Sequence, residues 1–95
     1  RGRLEWAMSR TMLATAYLHL GQGESAIRVM TEWVAAAPDL PEVRNNLGGV
    51  YHRLGRLAEA AECYRRAIEL DPGYAKAREN LARIQQDLEQ PNKRE

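Results

Sequence analysis

The feature that most constrains this chain is a repeat with a step of 34 residues. Leu13 recurs as Leu47 and Leu81, and Tyr17 recurs as Tyr51. The other repeated residues are Arg10 with Arg44 and Arg78, Gly21 with Gly55, Ala26 with Ala60, and Pro38 with Pro72. A fixed step of this length is typical of repeat architectures, in which each unit buries its apolar side against the next one.

Glycine and proline divide each period into two helices. Gly21 and Gly55 stand where a left-handed residue would end a first helix, and Pro38 and Pro72 follow a second one. The apolar spacing predicts five helices, at about residues 4–20, 23–36, 41–54, 57–70 and 75–90. Because the connecting loops are short, neighbouring helices should run antiparallel.

The residues at these positions resemble the tetratricopeptide repeat. One complete copy contains Leu47-Gly48-x-x-Tyr51, Ala60-x-x-x-Tyr64 and Pro72. A looser copy contains Leu13-Ala14, Tyr17, Gly21, Ala26, Met30 and Pro38. The resemblance implies an all-α, right-handed solenoid of antiparallel helical hairpins, about two and a half repeats long, with a C-terminal capping helix.

The repeat also predicts how the chain is divided. Residues 7–40 form a first repeat, residues 41–74 a second, and residues 75–90 a partial third repeat or capping helix. Residues 1–6 are a lead-in, open to being the end of a preceding repeat, and residues 91–95 are a polar tail. The chain begins without Met, so we expect it to be an excised piece.

Trp33 departs from the family pattern, since a small Ala is usual at its position. We expect Trp33 to be a core residue that fills space left by Gly48 and Gly49, because pairing of large with small residues is how protein cores reach native density. The alternative is a direct role for Trp33 in binding.

The two ends of the predicted stack differ in polarity. In the last helix a narrow apolar stripe leaves the remaining surface polar, as expected of a solvated cap. That stripe consists of Ala77, Leu81, Ile84 and Leu88. The first helix has no continuous polar side, which is typical of a helix buried on more than one face. We therefore expect an N-terminal interface formed by Leu4, Trp6, Met8 and Met12. A preceding repeat, a partner protein and a second copy of this chain are all compatible covers.

In the family that this chain resembles, the first helix of each repeat lines a groove in which peptides or helices dock. The corresponding residues here are Met8, Thr11, Met12, Thr15, Leu18, His19, Asn45, Asn46, Gly49, His52, Arg53, Lys76, Asn80 and Arg83. One end of this groove would be apolar and rich in Met, an adaptable residue on binding surfaces. We hypothesise a ligand with an apolar anchor and an acidic group. The anchor would lie near Met8, Met12 and Leu18, and the acidic group near Asn46, Lys76 and Arg83. The alternative is that the polar side chains are only solvated.

Some members of that family clamp the C-terminal carboxylate of chaperones in this groove. Only Asn46 and Lys76 match the residues of that clamp, whereas Thr11, Thr15 and Asn80 occupy its other three positions. We therefore do not expect this chain to bind chaperone tails.

Composition argues against several other functions. The net charge of +1 gives no bulk attraction for nucleic acid, and no apolar run is long enough to insert in a membrane. Cys63 is the single cysteine, and we expect it to be a packed apolar residue. His19 and His52 alone do not define a metal site. We predict no enzyme activity, cofactor or bound metal.

The resemblance favours an adaptor or scaffold that binds a peptide or helix of another protein. A second hypothesis is a self-assembly module that forms homo-oligomers through the first helix. A third is a regulatory domain of a larger protein, for example in a bacterial secretion, pilus or polysaccharide assembly system. We favour a cytoplasmic location, although a periplasmic or membrane-tethered protein is also compatible with the sequence.

Overall fold

The computed structural model describes residues 3–89, with side chains described from Arg10 onwards. This range consists of five helices and contains no strand. They are α1 (Arg3–His19), α2 (Gly23–Ala36), α3 (Pro41–Arg53), α4 (Leu57–Leu70) and α5 (Ala75–Glu89). Each predicted helix agrees with these bounds to within one residue, so the all-α fold is confirmed. The predicted tail at residues 91–95 lies outside the described residues.

The turns after α1 and α3 have the same backbone geometry. Gly21 has a φ of +77° and Gly55 a φ of +79°, a left-handed conformation that strains any residue with a Cβ. In the first turn the Gln22 N–H donates to the Tyr17 carbonyl at 2.8 Å, and the Arg56 N–H donates to the Tyr51 carbonyl at 2.9 Å in the second. Such bonds satisfy the last carbonyls of a helix and explain why both helices end at glycine.

The helices form two layers. The first helices of the repeats, α1, α3 and α5, are neighbours in one layer. The second helices, α2 and α4, pack on them from the other side, with α2 against α1 and α3, and α4 against α3 and α5. The core therefore lies between the layers, and one face of α1, α3 and α5 stays free of α2 and α4.

Two apolar clusters occupy the space between the layers. The first contains Ala14, Ala26, Met30, Trp33, Val43, Leu47 and Val50, and the second contains Ala60, Ala61, Tyr64 and Ile84. Trp33 is only 2% exposed, which confirms its place in the core. The expectation that it fills the space at Gly48 and Gly49 is wrong. A Cβ on Gly48 would lie 2.6 Å from Cε1 of Tyr64, so the Tyr64 ring occupies that space, and a Cβ on Gly49 would meet nothing within 4 Å.

Arg56 connects the two hairpins at their turns. Its Nη1 donates to Glu24 Oε2 of α2 at 3.1 Å, and its Nε donates to Glu59 Oε1 of α4 at 2.7 Å. The same guanidinium lies 5.3 Å from the centroid of the Tyr51 ring. Because these groups are largely exposed, this network adds modestly to stability and mainly fixes how the turns meet.

Candidate functional site

The predicted groove residues lie on the three first helices, α1, α3 and α5. Their exposure falls into three classes. The exposed residues are Met12, His19, Arg53, Lys76 and Arg83. The partly buried residues are Thr11, Thr15, Leu18, Asn46, Gly49, His52 and Asn80. Asn45 alone among those described is buried. The predicted interface residues Leu4, Trp6 and Met8 belong to a part of α1 whose side chains lie outside the described residues.

Asn45 is buried between α3 and α5 and does not lie on the exposed surface of these helices. Its side chain is 7% exposed, and its Oδ1 accepts a hydrogen bond from Nδ2 of Asn80 at 3.1 Å. The prediction that Asn45 is a surface groove residue is therefore corrected, because the helix one repeat later covers it. The pair instead joins α3 to α5 through a hydrogen bond.

A second polar pair joins the same two helices. His52 Nε2 lies 3.8 Å from Asp87 Oδ2, and both side chains are partly exposed. This pair and the Asn45–Asn80 pair both join residues that are 35 positions apart, which is one repeat plus one residue. The predicted groove residues include Asn45, His52 and Asn80 but not their pairing, and the spacing of 35 residues is the sequence signal that identifies both pairs.

Several other predicted groove residues are exposed or have open space around them. A Cβ on Gly49 would meet nothing within 4 Å, so there is open space beside this residue of α3. Arg53, Lys76 and Arg83 are exposed along α3 and α5. On α1, Met12 is 67% exposed, whereas Leu18 packs partly against the core. Among the predicted groove residues, α1 therefore presents an exposed thioether, and α3 and α5 present exposed guanidinium and ammonium groups.

Cys63 and the histidines were considered as candidates for nucleophilic catalysis and metal binding. Burial raises the pKa of the Cys63 thiol to about 11, so the thiol remains protonated at neutral pH. A protonated thiol is a poor nucleophile and a poor metal ligand. Within residues 3–89, no group of three or more His, Cys, Asp or Glu side chains is placed to hold a metal ion. No helix in the same range has the length and apolar character needed to span a bilayer.

Comparison with known proteins identifies the architecture. A family model described as the tetratricopeptide repeat matches residues 11–75, and a second model with the same description matches residues 63–95. The chain belongs to the tetratricopeptide repeat family. The two-layer stack and the glycine-ended first helices are thus those of tetratricopeptide hairpins.

Solved tetratricopeptide domains have the same fold. The first such domain of Spaghetti (RPAP3), bound to the HSP90 peptide SRMEEVD, has a TM-score of 0.71 and 29% identity, with 83% of this chain and 63% of that one covered. The second domain of human RPAP3, in complex with the HSP70 peptide SGPTIEEVD, has a TM-score of 0.75 and 25% identity, with 97% and 77% covered.

A curated relative is much longer than this chain. The protein adenylyltransferase fic-1 of Caenorhabditis briggsae is 33% identical over 57 residues, which are 60% of this chain and 11% of that enzyme. The chain thus spans about a tenth of that relative and slightly less than two thirds of the Spaghetti domain.

Proposed function

We propose that this tetratricopeptide stack is a protein-interaction module that binds a short segment of a partner protein on the free face of α1, α3 and α5. The observation that carries the proposal is the face of α1, α3 and α5 that α2 and α4 leave uncovered, on which Gly49 has open space, Asn46 is partly buried, and Lys76 and Arg83 are exposed. An amide can hold a peptide backbone through paired hydrogen bonds, and a glycine lets that backbone come close.

The solved relatives support this choice of ligand. Two of their domains hold peptides of HSP90 and HSP70, and both peptides contain Glu, Val and Asp. We infer that this chain accepts a segment with an apolar side chain near Met12 and an acidic side chain near Lys76 and Arg83. Asn46 and Lys76 match the clamp for chaperone tails but Thr11, Thr15 and Asn80 do not, so SRMEEVD itself should bind weakly.

The polar pairs between α3 and α5 favour binding without rearrangement. Asn80 donates to Asn45 at 3.1 Å, and His52 lies 3.8 Å from Asp87, so polar contacts already join the two helices before a ligand arrives. A preorganised site loses less entropy on binding, which raises affinity. The described groove offers shape and charge but no activated nucleophile, and we propose that this domain acts by binding and not by catalysis.

The test is selection from a random peptide library displayed on phage, followed by fluorescence polarisation with synthetic copies of the enriched peptides. Gly49→Leu fills the groove and should weaken binding at least about tenfold, the equivalent of about 1.4 kcal/mol. Ala58→Leu, on the exposed side of α4, is the matched control and should leave affinity unchanged.

Charge reversal provides a second, independent arm. Lys76→Glu should weaken binding of acidic peptides, whereas Arg65→Glu, which reverses a half-exposed charge on α4, should not. Failure to enrich any peptide, or equal affinity of the Gly49→Leu and Ala58→Leu proteins, would remove the groove as the binding site. Tight binding of SRMEEVD would instead show that the departures at Thr11, Thr15 and Asn80 are tolerated.

A further inference from the structure

The direction of the hydrogen bond between Asn45 and Asn80 determines which atom of Asn80 is left for a ligand. Nδ2 of Asn80 donates to Oδ1 of Asn45 at 3.1 Å. Asn45 is only 7% exposed, and loss of its partner would leave a buried oxygen without a hydrogen bond, which is costly. The bond therefore sets the Asn80 amide so that its nitrogen serves Asn45 and its oxygen remains for another donor.

The Asn80 oxygen is open to such a donor. Within residues 10–89, the hydrogen bond to Asn45 is the one that the Asn80 side chain forms. Asn80 is partly exposed, and Oδ1 is not one of its buried atoms. Oδ1 is therefore in contact with water, which a bound segment would replace.

Asn80 lies between two exposed cations on one side of α5. Lys76 is four residues before it and Arg83 is three residues after it, a spacing that places all three on the same side of a helix. Lys and Arg side chains only donate hydrogen bonds, whereas the amide oxygen of Asn accepts them. Of the predicted groove residues of α5, Asn80 is therefore the one that can accept a hydrogen bond.

We propose that Asn80 Oδ1 accepts a hydrogen bond from a main-chain N–H of an internal segment of the partner, and that Asn45 is the positioning residue for this oxygen. This inference rests on the binding function proposed above. Lys76 and Arg83 repel a cationic side chain of the ligand, whereas every residue except proline offers an uncharged main-chain N–H. A C-terminal carboxylate carries only acceptors, so a chain end does not suit this position.

Asn46 on α3 is the equivalent of Asn80 and lacks this device. It lies 34 residues before Asn80, and the residue of α1 that corresponds to Asn45 is Thr11. The Asn46 side chain forms no hydrogen bond with Thr11 or with any other described residue. Its amide can therefore turn either the nitrogen or the oxygen towards a ligand, whereas the Asn80 amide is oriented before binding, which lowers the entropy lost on binding.

Amide-to-ester replacement in the peptide tests the hydrogen bond directly. The tightest-binding peptide from the phage selection would be synthesised with one main-chain amide at a time replaced by an ester, which removes a single N–H. One ester should bind the parent chain about fivefold more weakly than the amide peptide does. The same ratio should hold for Gln85→Ala, the control at an exposed position of α5. Asn80→Ala should bind that ester and the amide peptide equally well.

Variants of Asn45 separate positioning from structural support. Asn45→Asp keeps an oxygen that accepts from Asn80, so the ester should remain about fivefold weaker, while Asn45→Ala should reduce this ratio to less than about twofold. A loss of overall stability affects both peptides alike and leaves the ratio unchanged. If Asn80→Ala unfolds, the double variant Asn45→Ala/Asn80→Ala leaves no unpaired amide in the core and should also abolish the difference. Equal ratios for Asn45→Ala and Asn45→Asp would refute the positioning role.

The C-terminus of the peptide tests the internal segment. Amidation of the terminal carboxylate should leave the affinity unchanged, and tighter binding of the free carboxylate would overturn the inference. It would also be overturned if the parent chain bound every ester as well as the amide peptide, or if Asn80→Ala kept the ester difference. The groove itself would stand in these cases if Gly49→Leu still weakened binding. Absence of any binding peptide would contradict both proposals.

Discussion

The two hairpins place equivalent residues in different surroundings. Leu47 on α3 is 9% exposed, because α2 of the first hairpin covers it, whereas its equivalent Leu13 on α1 is 46% exposed. Both leucines satisfy the same motif and occupy the same helical face. The repeat therefore determines which side of a helix is apolar, and the presence of a neighbouring helix determines whether that side is buried.

The cores of the two hairpins differ in how their volume is divided. In the first hairpin, Ala14 on α1 and Met30 on α2 are both buried. At the equivalent positions of the second hairpin, Gly48 on α3 is smaller and Tyr64 on α4 is larger, and the Tyr64 ring occupies the space above Gly48. A smaller residue at one position is matched by a larger residue at the other. Both cores can therefore be close-packed although neither residue is the same in the two hairpins.

The largest predicted difference is between Leu47→Glu and Leu13→Glu. We expect Leu47→Glu to lower the free energy of unfolding by about 3 kcal/mol or more, because it removes core packing and buries a carboxylate. Leu13→Glu should change it by less than about 0.5 kcal/mol in dilute solution. Urea denaturation of both variants measures the difference, and equal losses would mean that the two faces are buried alike.

Adjacent glycines of the second hairpin should respond to alanine with opposite signs. Gly48→Ala sets a Cβ 2.6 Å from the buried Tyr64 ring, and such overpacking costs about 1–3 kcal/mol. Gly49→Ala meets nothing and should stabilise α3 by about 0.5–1 kcal/mol through helix propensity. Urea denaturation again provides the measurement.

A double variant sharpens the same comparison. Gly48→Ala with Tyr64→Met gives the second hairpin the residue pair of the first, and should cost less than the sum of the two single changes. Strict additivity would show that the two positions do not share one space.

Most of the fold could be predicted because it depends on local sequence signals that occur in both repeats. Gly21 and Gly55 end their helices through their own backbone conformation, so their role is readable without tertiary information. The contact at Gly48 is made by Tyr64 and not by Trp33, and the sequence does not show this because the rotation of the packed helices decides which large side chain fills the space. Asn45 was misplaced for a related reason, because its burial depends on how closely α5 approaches α3.

The smallest predicted difference concerns Cys63, whose equivalent in the first hairpin is Val29. Burial raises the pKa of the Cys63 thiol from 9.0 to about 11, so above pH 9 the unfolded chain loses a proton that the folded chain keeps. This contribution to stability is complete below pH 9 and is lost as the pH rises towards 11. Cys63→Val should reduce the alkaline loss of stability.

Urea midpoints between neutral pH and pH 11 measure this effect. Some loss should remain in the Cys63→Val protein, since burial also raises the pKa of Tyr64, from 10.0 to about 12. Identical pH dependence of parent and variant would show that the thiol is not buried in the folded chain.

The most direct test of the central claim, that the first helices line the binding surface, is an NMR titration with a library-selected peptide. The claim predicts that the backbone amide signals of Asn46, Gly49 and His52 on α3 shift on binding, together with those of Lys76 and Arg83 on α5. Shifts confined to α2 and α4, with the α3 and α5 amides unchanged, would contradict it.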